Sequence, residues 1–343
     1  MFAEAASRRG ISYLSAASIA IAAEFPDEVK AAVWVTVPVR KDLLCFQDGA
    51  LRLHHTLPWA YMRTAPLSGF DPELLYRKTP LIDAIPQSVD PLWAAVLEEG
   101  PRSRFWDGHD LWDYIRRTRV PGLHLGGWFD FLLDATLVPY SEMVQSGASQ
   151  RLVLGPWSHN GTIGGPEKIS GDVSYGYWSG QREDGPGGPN EDQVDMSSPF
   201  IEECVLWLDF WVKGTGDSPA RSSVKCFFTG HRPHWAELEA WPGPDDCGVK
   251  MYLGATADAR CSDHDGQFAA DCPVAACESF VYDPENPSPT EGGAVWAFPK
   301  AGMVPGSAVS SAHLREDVLA YDSEVLGSPL EICGAAEVEL YAS

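Results

Sequence analysis

From Ala16 to Ala23 small and apolar residues recur at helical spacing, and Pro26 and Asp27 close that stretch. The run VKAAVWVTVPV that follows is apolar nearly throughout, as in a strand covered on both faces. From about residue 42 to 118 aromatics, His and Pro are scattered among short helical patterns such as PLWAAVLEE. This stretch reads as an excursion from the sheet, a helical cap. Order then returns. VPGLHLGGW and QRLVLGPW are short apolar runs, and FLLDATLVPYSEMVQSG between them reads as a helix that carries a Pro and ends at Gly147. Strand, helix and strand with short joins make a βαβ unit, whose two strands run parallel.

The pattern changes again beyond residue 160. Residues 160–198 are rich in Gly, Pro and acidic side chains and predict a long surface loop. SPFIEECVLWLDFWVKG predicts a helix with one apolar face, stopped by Gly214. After about residue 220 short β runs alternate with turn signals, clearest in VKCFFTG, VKMYLGA, SFVYDPENP, VLAYDSE and AEVELYAS. That is the signature of a β-sandwich. The expected fold class is therefore α/β, followed by a β-rich region.

Charge and composition narrow the partners. The chain has 343 residues and a formal net charge of −23. So acidic a surface repels phosphate, which argues against nucleic acid and anionic membranes. No apolar run reaches about 18 residues, and the opening MFAEAASRRG lacks the apolar core of a signal peptide. The eight cysteines contain no CxxC pair and read as free thiols of a reducing compartment, which points to a cytoplasmic location. His54 and His55, His231 and His234, and Cys272 with Cys277 lack the count and spacing of a zinc site, so neither metal nor cofactor is expected. The thirteen Trp residues predict large packed surfaces or an aromatic pocket.

Candidate chemistry gathers at one place. Parallel strands share an edge at their C-terminal ends, where ligands bind. Ser12 sits at a turn before the first helix, Asp130 just past VPGLHLGGW, and His159 just past QRLVLGPW. All three belong at that edge, in the chain order Ser, Asp, His of the α/β-hydrolases. A serine hydroxyl needs a base, the role of His159; Asp130 would hold the imidazole tautomer and stabilise the imidazolium. The backbone N–H of Tyr13, at a helix start, would stabilise an oxyanion. Other readings stand beside these. Ser12 and Asp130 are also good helix N-caps, Asp134 is a rival acid, and His159 could be a loop histidine. Trp59, Trp128 and Trp157 could line an acyl pocket or pack in the core.

These residues resemble the CocE/NonD hydrolases, cocaine-esterase-like relatives of the X-Pro dipeptidyl-peptidases. The nucleophile motif of that family, G-x-S-Y-x-G, is matched by Gly10, Ser12 and Tyr13, with Ser15 in place of the last Gly. Its GGWYD is matched by Gly126, Gly127, Trp128, Phe129 and Asp130, and its GPWSH by Gly155 through His159. WLDFWVKG and VYDPENPSPTEGG are similar to later segments. The resemblance implies an α/β-hydrolase domain over 1–216 with its cap at about 42–118, then a jelly roll over 217–343. It implies cleavage of a small ester or amide through an acyl-enzyme, and allows a homodimer. Members that read a substrate ammonium place carboxylates after the catalytic Asp. Here Phe131, Leu132 and Leu133 follow, which favours an ordinary ester. The family's strands before the nucleophile, and the Tyr that gives its first oxyanion donor, have no counterpart in the eleven residues before Ser12. The chain thus reads as truncated at both ends, with a partial hydrolase sheet and a partial jelly roll. The alternative function is an inactive remnant that only folds or binds small molecules. A carbohydrate-binding β module would leave GGWFD and GPWSH unexplained.

Overall fold

A computed structural model describes residues 10–38, 44–47, 49–108, 111–159, 169–170, 173–174, 199–219, 224–230, 232–242, 249–255, 266–272, 278–289, 293–294 and 314–341. The long loop expected over 160–198 lies almost wholly outside these residues, as do His231 and Cys277.

The centre is a six-stranded sheet. In chain order its strands are β1 (Gly10–Ile11), β2 (Ala32–Val35), β5 (Gly122–Phe129), β6 (Gln150–Ser158), β9 (Val224–Phe228) and β10 (His234–Leu238), and they lie side by side in that order. The first five are mutually parallel and β10 is antiparallel to β9. Helix α1 (Tyr13–Glu24) is apolar on nearly all sides and ends where Phe25 meets Pro26. Helices α5 (Trp112–Arg117) and α6 (Leu133–Gln145) share its side of the sheet. There Ile19, Ala22, Ile115 and Met143 pack on Trp34, while Tyr140 meets Leu152 and Leu154. Helix α7 (Pro199–Leu208) covers the other side. Its Phe200, Ile201 and Trp207 bury Val35, Leu123, Leu125, Val153 and Trp157. Side chains alternate between faces along a strand, so β6, covered twice, is buried at every position. The long helix predicted over 198–214 continues past Leu208 as one wider turn, Asp209–Lys213, and stops at Gly214 with a left-handed φ of 68°.

Residues 44–108, within the stretch expected as a cap, have their own core. The hairpin β3 (Phe46–Gln47) and β4 (Ala50–Leu51) leads into α2 (Leu53–Met62), α3 (Pro72–Tyr76) and α4 (Pro91–Glu99). Leu57, Phe70, Ile85 and Trp93 form one cluster, and Cys45, Phe46, Val96 and Trp106 another. Asp71 and Asp90 cap α3 and α4 by accepting from Leu74 and Leu92 N–H, with Pro at the first helical position in both. The last helix of the stretch read as cap, α5, packs instead against the sheet through fully buried Ile115.

The C-terminal region differs from the expectation. VKCFFTG is expected in the sandwich, yet its strand β9 extends the central sheet beyond β6, where Val224 and Cys226 are buried opposite α6. The edge of β6 would otherwise present a row of unpaired backbone groups. On the α7 side Arg151 of β6 reaches Glu203 of α7 at 3.2 Å and Glu237 of β10 at 2.9 Å, and Lys225 of β9 reaches Glu203 at 2.6 Å. VKMYLGA supplies β11 (Tyr252–Ala255), antiparallel to β12 (Gly266–Ala269). Among the described residues the other three runs form no strand, and Val281, Val325 and Tyr341 are exposed. Alternating β-prone residues make a strand only where a neighbour takes their backbone hydrogen bonds.

Candidate active site

Ser12 joins β1 to α1 in a single residue. Its φ of 53° and ψ of −126° are a conformation that costs a side-chain-bearing residue about 1–3 kcal/mol and persists only where surroundings enforce it. Two hydrogen bonds do so: Ser12 N–H donates to Val35 O at 3.0 Å, and Ser12 O accepts from Ser15 N–H at 2.9 Å. The Ser12 hydroxyl makes no capping hydrogen bond, so the N-cap reading does not account for it. Ser15, standing where the motif has Gly, is fully buried. Its hydroxyl donates to Val35 O at 2.9 Å and accepts from Val35 N–H at 3.2 Å, pinning the first turn of α1 to β2.

Asp130 and His159 follow the paired ends of β5 and β6. Phe129 lies opposite Ser158, with an irregularity in register after Gly127. The next residue on each strand therefore stands beside the other. His159 Nδ1 lies 3.1 and 3.0 Å from the two Asp130 carboxylate oxygens. Asp130 has no exposure, and its Oδ1 also accepts Leu132 N–H at 2.8 Å, so it both starts the next helical turn and faces the imidazole. Burial alone would depress the His159 pKa, but the Asp130 charge and hydrogen bond outweigh it and raise it above 6.5. The motif glycines allow the close approach. A Cβ on Gly127 would meet Trp157 O at 2.1 Å, and one on Gly155 would meet the Trp157 ring at 2.4 Å.

Because β1, β5 and β6 are parallel, Ser12, Asp130 and His159 leave the sheet at one edge. Residues 7–161, which span all three, match the family described as X-Pro dipeptidyl-peptidase (S15 family). The chain is 26% identical over 249 residues to the cocaine esterase of Rhodococcus sp. (strain MB1 Bresler), an alignment covering 72% of this chain and 40% of that one. Over this stretch the chain is similar to the S15, cocaine-esterase-like hydrolases. It spans about two fifths of the length of that curated relative.

Around this site the stretch expected as a cap supplies further residues that no motif marks. Phe131 lies between two imidazoles, 4.8 Å from the His159 ring and 4.3 Å from that of His55. Burial, then the neighbouring charges of His54, Arg52 and His159, lower the His55 pKa to about 2, so it stays neutral. Arg52, just ahead of α2, donates to Phe131 O at 2.7 Å and ties the cap to the loop after Asp130. Nothing in the sequence pattern links His54 or His55 to residue 131. Among the described residues no three His, Cys, Asp or Glu side chains gather as metal ligands. Asp134, the rival acid, is 69% exposed and lies 3.9 Å from Arg52.

The three Trp residues separate. Trp157 is buried beneath α7 against Phe200 and Trp235. Trp128 donates its indole N–H to Phe227 O at 2.6 Å and packs on Trp241. Core packing accounts for both. Trp59 stays on the cap, with the Arg63 guanidinium 4.3 Å above its ring, and Arg63 in turn pairs with the buried Asp90. Tyr13 opens α1 with an exposed side chain. No helix of the described residues is long and apolar enough to cross a membrane.

Proposed function

We propose that this chain is a serine hydrolase that cleaves a small ester or amide through an acyl-enzyme, with Ser12 as nucleophile, His159 as base and Asp130 as its orienting acid. The observation that carries the reading is the strained Ser12 turn on the same sheet edge as the buried Asp130–His159 pair. Asp130 fixes the proton on His159 Nδ1, which leaves Nε2 to take the Ser12 proton as Oγ attacks the carbonyl carbon. The Tyr13 N–H, at the helix start, supports the oxyanion of the tetrahedral intermediate. Collapse expels the alcohol or amine, protonated by His159. Water, deprotonated by the same imidazole, then releases the acid and regenerates Ser12.

An ester is the favoured substrate. Phe131, Leu132 and Leu133 after Asp130 offer no carboxylate to a substrate ammonium. The relative named cocaine esterase supports ester cleavage, and the family description leaves room for a peptide bond. Trp59 and the His55–Phe131 pair are the proposed pocket wall on the cap side. We assign the residues up to the end of β10 to the hydrolase domain, with the cap running from about 42 and ending before α5, and the β-prone runs beyond β10 to a jelly roll; the short β11–β12 pair is its support.

Labelling with a fluorophosphonate probe, wild type against Ser12→Ala, tests this. Labelling that disappears in the variant is the expected result. Failure of the folded wild-type chain to label would overturn the enzyme reading in favour of an inactive remnant.

A further inference from the structure

Two cysteines far apart in sequence meet beneath the sheet. Cys226 lies in β9, opposite Leu154 of β6 and Ala236 of β10, and is 1% exposed. Cys333 lies in the segment 314–341, whose only β pairing among the described residues is single bridges at Leu319 and Asp322. Their sulfurs are 3.7 Å apart, in contact and unbonded. Cys333 packs in the same apolar cluster as Leu238, Trp128 and Trp241, so the encounter is part of a packed surface.

We propose that Cys226 and Cys333 are a disulfide-forming pair, closed by a small-molecule disulfide such as oxidised glutathione, which fastens the 314–341 segment to strand β9. A bond requires the sulfurs to approach to about 2.05 Å. A side-chain rotation at Cys333 and a small shift of its irregular segment supply that movement more readily than any change in β9.

The order of events follows from access. Cys333 is the more exposed thiol, while burial pushes the Cys226 thiol up to about 12. Burial also raises Cys333, offset in part by its hydrogen bond with Cys226. The Cys333 thiolate attacks one sulfur of oxidised glutathione, forming a mixed disulfide and releasing one glutathione thiolate. Cys226, losing its proton, attacks the Cys333 sulfur and releases the second. Two protein thiols are oxidised and one glutathione disulfide is reduced to two thiols. The closed loop spans 107 positions, long enough for a clear effect on the unfolded chain. The same β9 flanks β6, the strand that ends just before His159, so the staple braces the sheet beside the proposed base.

The test incubates the folded full chain in glutathione buffers of rising oxidised fraction. Free thiols are then trapped by alkylation under denaturing conditions, digested and mapped by mass spectrometry. The expected result is loss of alkylation at Cys226 and Cys333 together, a cross-linked peptide containing both, and a rise in Tm that dithiothreitol reverses. Cys333→Ser, at the less buried position, should abolish the cross-link and the Tm rise while folding normally. Full alkylation of both thiols at every ratio would overturn the proposal. So would glutathione accumulating on Cys333 without a cross-link, or Cys226 pairing with a different cysteine.

Discussion

Replacing Asp130 by Asn keeps the shape of the side chain and removes its charge. The carboxylate touches His159 Nδ1 through both oxygens, at 3.1 and 3.0 Å, in a site with no solvent exposure at Asp130. An opposite-charge pair at about 4 Å is worth about 4 kcal/mol at an effective dielectric near 20. The imidazolium forms only as the Ser12 proton is transferred, so this loss falls on the transition state and corresponds to about a thousandfold in rate. The Asn amide can also donate to Nδ1 and hold the wrong tautomer, which brings the expected loss to about 10⁴-fold, as the same change does in a serine protease. A second signature is independent of magnitude. In the wild type the carboxylate raises the His159 pKa above 6.5 against the opposing effect of burial. With the charge gone, burial acts unopposed and the pKa falls below 6.5. The assay is the rate of fluorophosphonate labelling across the pH range in which histidine titrates. Slow labelling with its midpoint moved from above to below 6.5 is expected. Asp134→Asn, at a 69% exposed carboxylate, should leave both unchanged. An Asp130→Asn protein labelling within about tenfold of wild type, with the same midpoint, would refute the assignment.

Three other perturbations read different parts of the argument. Ser12→Gly should abolish labelling yet stabilise the fold by about 1 kcal/mol, because glycine adopts a φ of 53° without strain; an unchanged or lower urea midpoint would contradict the strained turn. Gly127→Ala should cost about 3 kcal/mol or prevent folding, since its Cβ would sit 2.1 Å from the Trp157 carbonyl; a wild-type Tm would show that this approach is not fixed. His124 is buried, bonded to Gln150 at 2.8 Å, and burial lowers its pKa to about 4. The unfolded chain therefore binds a proton more readily there, and its contribution to stability is present above pH 6.5 and lost as pH falls towards 4, about 3 kcal/mol in all. His124→Leu should flatten the urea-measured stability profile over that interval by the same amount, whereas an undiminished slope would place the loss elsewhere, for instance at His55.

Local pattern determined the elements near the site. The apolar runs around β5 and β6, the helix between them, and the chain order of Ser12, Asp130 and His159 were all legible, because strand and helix periods are properties of short stretches. Parallel pairing followed from the short joins. The glycines of GGWFD and GPWSH were legible only as a resemblance. Their reason, the Trp157 carbonyl and ring against Gly127 and Gly155, exists only once two strands lie side by side. The same holds for Ser15, whose two bonds to Val35 cross from helix to strand. The sequence could not decide where VKCFFTG pairs, since a β-prone run is indifferent to which open edge receives it; the uncovered side of β6 and the Arg151–Glu203–Lys225 ion pairs decided that. Nor could it join His55 to Phe131, or Cys226 to Cys333. Those contacts bring together residues distant in the chain, and no local period records which of many distant apolar or polar side chains the folded sheet and cap will set face to face.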